Sequence, residues 1–192
     1  MNLWWYVARA SGIIAWVMLA AAVIWGVLFA TRILGSKVRP AWTLDLHRWL
    51  GGLSVTFTAV HVAGLMLDDY VAFGAREILV PMASEWRPTA VAWGIVAAYV
   101  LIAVQATSLA MKRLPRRLWK WVHLTSFGLF FVASIHAGLT GTDVGNRLYL
   151  VTAMLVVMSV VFASAYRVVL SRAPAPSAPV RTPDQEPTPA EV

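Results

Sequence analysis

The sequence reads as an all-α membrane protein, a bundle of five membrane-spanning helices, on three grounds. Hydrophobic residues make up 59% of the chain and charged residues only 13%, where a soluble domain carries about 25% charge. The apolar residues gather into five long runs, each near the ~20 residues that cross about 30 Å of hydrocarbon at about 1.5 Å per residue. The runs do not alternate polar with apolar, which argues against a membrane β-barrel.

The first span runs from about Gly12 to Thr31. No charged region precedes Trp4-Trp5, the apolar run is long for a leader, and Ser36 lacks a small-x-small context, so the segment reads as a retained helix. The second span runs from Leu44 to Leu67. The connection after it, Tyr70 to Pro88, is the longest; within it Ala72 to Ala83 is mostly apolar and broken by Arg76-Glu77. That pattern predicts a short helix lying flat at the outer surface, with an ordinary loop as the alternative. The third span covers Thr89 to Ala110, the fourth Leu118 to Leu139 and the fifth Leu148 to Leu170. Residues 1–170 form one membrane domain. From Ser171 to Val192 prolines recur among scattered acids, which predicts a disordered cytoplasmic tail over 171–192. That tail is too short to be a flavin or nicotinamide domain.

There is no cysteine, so disulfides, thiolate catalysis and cysteine-ligated iron–sulfur clusters are excluded. The net charge of +7 speaks to membrane orientation and not to nucleic acid, because the basic residues cluster between apolar runs. One set of connections carries Arg32, Lys37, Arg39, Arg48, Lys112, Arg113, Arg116, Arg117 and Lys120, with Arg167 and Arg172 closing the last span, against Asp45 alone. The other set carries Arg9, Arg76, Arg87 and Arg147 against Asp68, Asp69, Glu77, Glu85 and Asp143. The positive-inside rule then predicts a multi-pass protein of the inner (cytoplasmic) membrane, N-terminus outside and C-terminus inside.

All four histidines fall in two of the spans: His47 and His61 in the second, His123 and His136 in the fourth. An ionisable side chain in hydrocarbon points to function, and neutral imidazole is a common axial ligand of haem iron. The 14-residue step from His47 to His61 is about 40° short of four turns, so both share a face about 21 Å apart along the axis. The 13-residue step from His123 to His136 fits less well, since an ideal helix turns the two about 140° apart. A tightened turn or different ring rotations would be needed there. The second and fourth spans cross in the same direction. An inner haem would then take His47 and His123, an outer haem His61 and His136, and neither iron would keep an open site. The plain alternative for each histidine is a packing residue bonded to a neighbouring helix. A zinc site is disfavoured, because ligands about 20 Å apart on one helix share no ion.

Arg48, beside His47, and Arg116, Arg117 and Lys120, before His123, are candidate partners for inner haem propionates, with plain positive-inside charge the favoured alternative for any single one of them; Arg48 and Arg117 are the two named for the site. Gly51, Gly52, Gly64, Gly128 and Gly138 lie near the histidines, where glycine admits either a flat macrocycle or a close helix. Trp4, Trp5, Trp42, Trp86, Trp119 and Trp121 lie near predicted interfaces as an aromatic belt, and Trp49 is a candidate haem-lining residue. Gln105, the most polar residue of the third span, suits interhelical packing better than a quinone or propionate. Thr140, Gly141, Thr142 and Asp143 follow the outer histidine and read as a capped turn, with a surface for an external acceptor as the alternative.

The stretches LDLHRWLGGLSVTFTAVH and RLWKWVHLTSFGLFFVASIHAGLTGTD, with YVARASGIIAW before them and REILVPMASEWRP between, resemble the ferric reductase-like transmembrane domain. That superfamily includes the membrane parts of NADPH oxidases and ferric reductases and the haem subunit that partners a periplasmic methionine sulfoxide reductase. The resemblance covers about residues 4–170. It implies two b-type haems stacked across the membrane, with His47 and His123 as inner and His61 and His136 as outer iron ligands. The 14 and 13 spacings match the family's bis-haem pattern. The flavin and nicotinamide modules of the larger members are missing. The resemblance therefore implies electrons drawn from a separate flavoprotein dehydrogenase or from quinol, and delivered to ferric iron, oxygen or an extracytoplasmic redox protein. The competing expectation is a non-redox membrane anchor or assembly subunit whose histidines only pack. A transporter is weaker still, for the spans lack matched broken helices.

Overall fold

A computed structural model describes residues 3–31, 33, 35, 40–69, 71, 73–143 and 145–172. Among the described residues six helices follow in order: α1 (Leu3–Thr31), α2 (Pro40–Leu67), α3 (Ala75–Leu79), α4 (Pro88–Leu109), α5 (Arg116–Thr140) and α6 (Arg147–Arg172). All but α3 are long and apolar enough to cross a membrane, and the chain is a multi-pass membrane protein. Arg32, Lys37 and Arg39 of the first connection, and the Pro-rich stretch 173–192, lie outside the described residues.

Two elements differ most from the hydropathy reading. α1 begins at Leu3, well before Gly12. Arg9 interrupts the apolar run, yet the helix carries it because Arg9 is neutralised: its Nε donates to an Asp143 carboxylate oxygen at 2.7 Å and its guanidinium lies 4.7 Å over the Trp5 ring. Among the described residues of the long connection only Ala75–Leu79 is helical, shorter than the Ala72–Ala83 expected. The Glu77 carboxylate accepts the Gly74 N–H at 3.0 Å and starts this turn. Pro81 follows, and Met82 at φ 69° reverses the chain, a conformation no helix continues through.

The bundle is two hairpins and an outer helix. α1 packs along α2, α4 along α5, and α6 lies on α1. Leu19, Ala20, Val23, Ala97, Leu101, Leu129, Phe130 and Val160 form the buried core between the hairpins. Trp16 stacks on Phe130 with ring centres 5.7 Å apart, and its indole N–H donates to Ser134 Oγ at 2.9 Å, tying α1 to α5. α6 leaves Leu155, Met158 and Phe162 exposed, as a face turned toward lipid requires.

Candidate functional site

α2 and α5 approach each other through their imidazoles. The His47 and His123 rings lie 5.8 Å apart, centre to centre, and the His61 and His136 rings 6.4 Å apart. The N-terminal histidine of one helix meets the N-terminal histidine of the other, so the two helices run parallel. Midway between these layers sit Leu19 on α1, Ser54 on α2, Leu101 on α4 and Phe130 on α5, all buried. A dry slab therefore separates the first pair (His47, His123) from the second (His61, His136).

The neighbouring helices orient the rings. Nδ1 of His61 lies 2.6 Å from the Ala8 carbonyl oxygen, Nδ1 of His47 3.0 Å from that of Ala22, and Nδ1 of His136 2.8 Å from that of Ala90. A carbonyl only accepts, so Nδ1 carries the proton in each and the lone pair is left on Nε2. One helical turn after each carbonyl stands a glycine whose missing side chain makes room for the ring. A Cβ at Gly12 would sit 2.8 Å from His61, at Gly26 3.1 Å from His47, and at Gly94 2.6 Å from His136. The motif Ala-x-x-x-Gly thus serves three rings, at 8–12, 22–26 and 90–94.

The fourth position breaks the pattern. His123 Nδ1 lies 3.3 Å from the Ser108 hydroxyl of α4, and Trp119 stacks on the ring at 5.2 Å and 25°. α5 is regular helix from end to end, so no tightened turn absorbs the 13-residue step. The angular mismatch is taken up locally: His123 meets a side chain of α4 in place of its backbone.

A b haem fits these residues. Each layer brings together two imidazoles from different helices, the donor type that haem iron takes from a protein. None of the four Nε2 atoms has a hydrogen-bond partner among the described residues. The described residues contain no convergence of three or more His, Cys, Asp or Glu, and a macrocycle that brings its own in-plane ligands asks only for a pair. The indole Nε1 of Trp119 is buried without an acceptor among the described residues, a donor that suits a propionate beside the first pair.

The other predicted residues divide. Arg48 is exposed and pairs with Asp45 at 3.4 Å; with Trp49, Gly52, Leu53 and Thr56 it lines a shallow groove along α2. Arg117 is exposed in the first turn of α5. Gly51 packs under the Gln105 amide and Gly64 against the backbone of Ala8, whereas the space beside Gly52, Gly128 and Gly138 is open. Thr140 bonds back to the His136 carbonyl at 2.8 Å, and Asp143 is taken by Arg9. At the same end Arg87 donates to the Leu139 carbonyl and covers Trp86.

Gly12, Gly26, Gly94 and Ser108 escape a reading that looks only near the histidines in sequence. The signal is present. On the first span Gly12 and Gly26 are separated by the same step as His47 and His61, and on the third that step recurs between Gly94 and Ser108. Repetition therefore extends to the spans that face the histidines. In comparison with known proteins, residues 11–135 match the family described as Ferric reductase like transmembrane component. No curated protein and no solved structure matches the chain.

Proposed function

The chain belongs to the ferric reductase-like transmembrane family, and from that premise we propose that it carries electrons across a membrane by means of two b haems. His47 and His123 hold the inner one, His61 and His136 the outer. The observation that carries this reading is the pair of opposed imidazole couples, each ring with Nδ1 engaged and Nε2 turned to no other partner among the described residues. Held by these four histidines, haem b would supply one-electron iron chemistry.

The chain supplies position, dryness and ligand tuning. Ala8, Ala22 and Ala90 fix three imidazole tautomers through their carbonyls, which strengthens nitrogen donation. Phe130, Leu101 and Leu19 keep water from the middle layer. Trp119 offers its indole N–H, and Arg167, Arg48 and Arg117 offer positive charge, at the inner end. The basic connections support an inner, cytoplasmic membrane with the N-terminus outside and the C-terminus inside. Electrons enter on the inner side from a flavoprotein dehydrogenase or quinol, and leave to ferric iron, oxygen or an extracytoplasmic redox protein.

The test is electron transfer across sealed vesicles. Haem-loaded protein in liposomes, with ferricyanide trapped inside and dithionite added outside, is expected to reduce the trapped acceptor faster than empty liposomes, and His61→Ala to abolish the excess. Equal rates for wild-type protein, variant and empty liposomes would overturn the proposal.

A further inference from the structure

Resting on the haem reading above, we propose that Ser108 is a positioning residue that sets the inner site apart, by giving His123 a weaker second acceptor than the other three ligands have. Three observations carry it. First, Nδ1 of His47, His61 and His136 faces backbone carbonyls at 3.0, 2.6 and 2.8 Å, whereas Nδ1 of His123 faces a hydroxyl at 3.3 Å. Second, the other three sites have a glycine where this one has serine, and Ser108 follows Gly94, the glycine that serves His136, by the step that separates Gly12 from Gly26. Third, most helix hydroxyls here turn back to a carbonyl one turn earlier, as Thr107 does to Ala103 and Ser134 to Phe130. The Ser108 hydroxyl instead crosses to another helix.

The register explains the serine. One residue fewer between His123 and His136 than between His47 and His61 turns His123 by about 100° relative to a matched pair. A glycine at 108 would leave the gap between the ring and the α4 backbone unbridged, and a hydroxymethyl group spans it. For Nε2 to ligate, Nδ1 carries the proton and donates a hydrogen bond to Ser108 Oγ. A hydroxyl at this distance polarises the ring less than a helix carbonyl does. The His123 imidazole therefore donates less electron density, and the oxidised iron is stabilised less. The inner haem is poised at a higher potential than two carbonyl-bonded imidazoles would give, in a site where one side chain controls the value.

The experiment is a dithionite–ferricyanide titration of the haem bands in purified, haem-loaded wild-type, S108A and S108T proteins, with H123A identifying the inner wave. S108A is expected to move the inner wave further up, by about tenfold in the reduction equilibrium, or about 59 mV for one electron. The outer wave stays in place, and S108T, which keeps the hydroxyl, titrates like wild type. If S108A loses the inner haem while S108T retains it, the positioning role is likewise supported. Two unmoved waves in S108A overturn the inference, as does an S108T protein that behaves like S108A, because the effect would then belong to packing. A wild-type protein that takes up no haem would instead defeat the function proposed above.

Discussion

Nδ1 of His61 on α2 lies 2.6 Å from the carbonyl oxygen of Ala8 on α1. One hydrogen bond thus joins the helix that bears the imidazoles to the helix that orients them. Gly12 makes the approach feasible, since any side chain there would start 2.8 Å from the same ring. The second pair depends on two such contacts, through Ala8 and Ala90, and the first on one carbonyl and one hydroxyl.

Gly94→Ala is the sharpest test of that dependence. The added Cβ meets His136 at 2.6 Å, inside any real contact distance, so the ring or the helix that carries it must shift. The expected outcome is a loss of about 1–3 kcal/mol in stability, as for overpacking, together with loss of the outer haem band. Gly145→Ala, with open space around it, is expected to stay within about 0.5 kcal/mol of wild type. Thermal melts and reduced-minus-oxidised spectra of the two variants check both statements.

His61→Ala is expected to remove the outer haem and leave most of the inner spectrum, because the two couples sit on opposite sides of the Leu19–Phe130 slab. His47→Ala is expected to do the reverse. Haem-to-protein ratios near one in each variant bear this out; loss of both haems from either variant speaks against independent sites.

Arg9 and Asp143 tie the first turns of α1 to the connection after α5. Their side chains are 32% and 27% exposed, so the attraction is partly screened. A double-mutant cycle with Arg9→Ala and Asp143→Ala is expected to give a coupling of about 1 kcal/mol or less, shrinking in high salt. A coupling insensitive to salt would argue against an ion pair.

The chain lacks cysteine, which makes its orientation easy to read. In intact cells Glu85→Cys is expected to react with an impermeant maleimide, and Lys112→Cys only after the membrane is opened. The opposite pattern would invert the assigned topology.

Much of this is legible in the sequence because hydropathy and spacing are local. The five spans follow from unbroken apolar runs, and the first extends past its run where a tertiary contact intervenes, the Arg9–Asp143 pair near the start of α1. The meeting of His47 with His123 and of His61 with His136 follows from span parity. What surrounds the rings is not legible from their own helices. Gly12, Gly26, Gly94 and Ser108 sit on partner spans, remote in sequence from the rings they serve, and helix periodicity alone does not say which spans pair. The 13-residue step looks like a weakness by periodicity; in three dimensions it coincides with the exchange of glycine for Ser108 at His123.

Whether the opposed histidines hold two haems is decided by a pyridine haemochrome assay on detergent-purified, haem-supplied protein. Close to two non-covalent b haems per chain are expected, falling to about one in His61→Ala. A folded wild-type protein that takes up none would refute the haem assignment and leave four histidines that only pack.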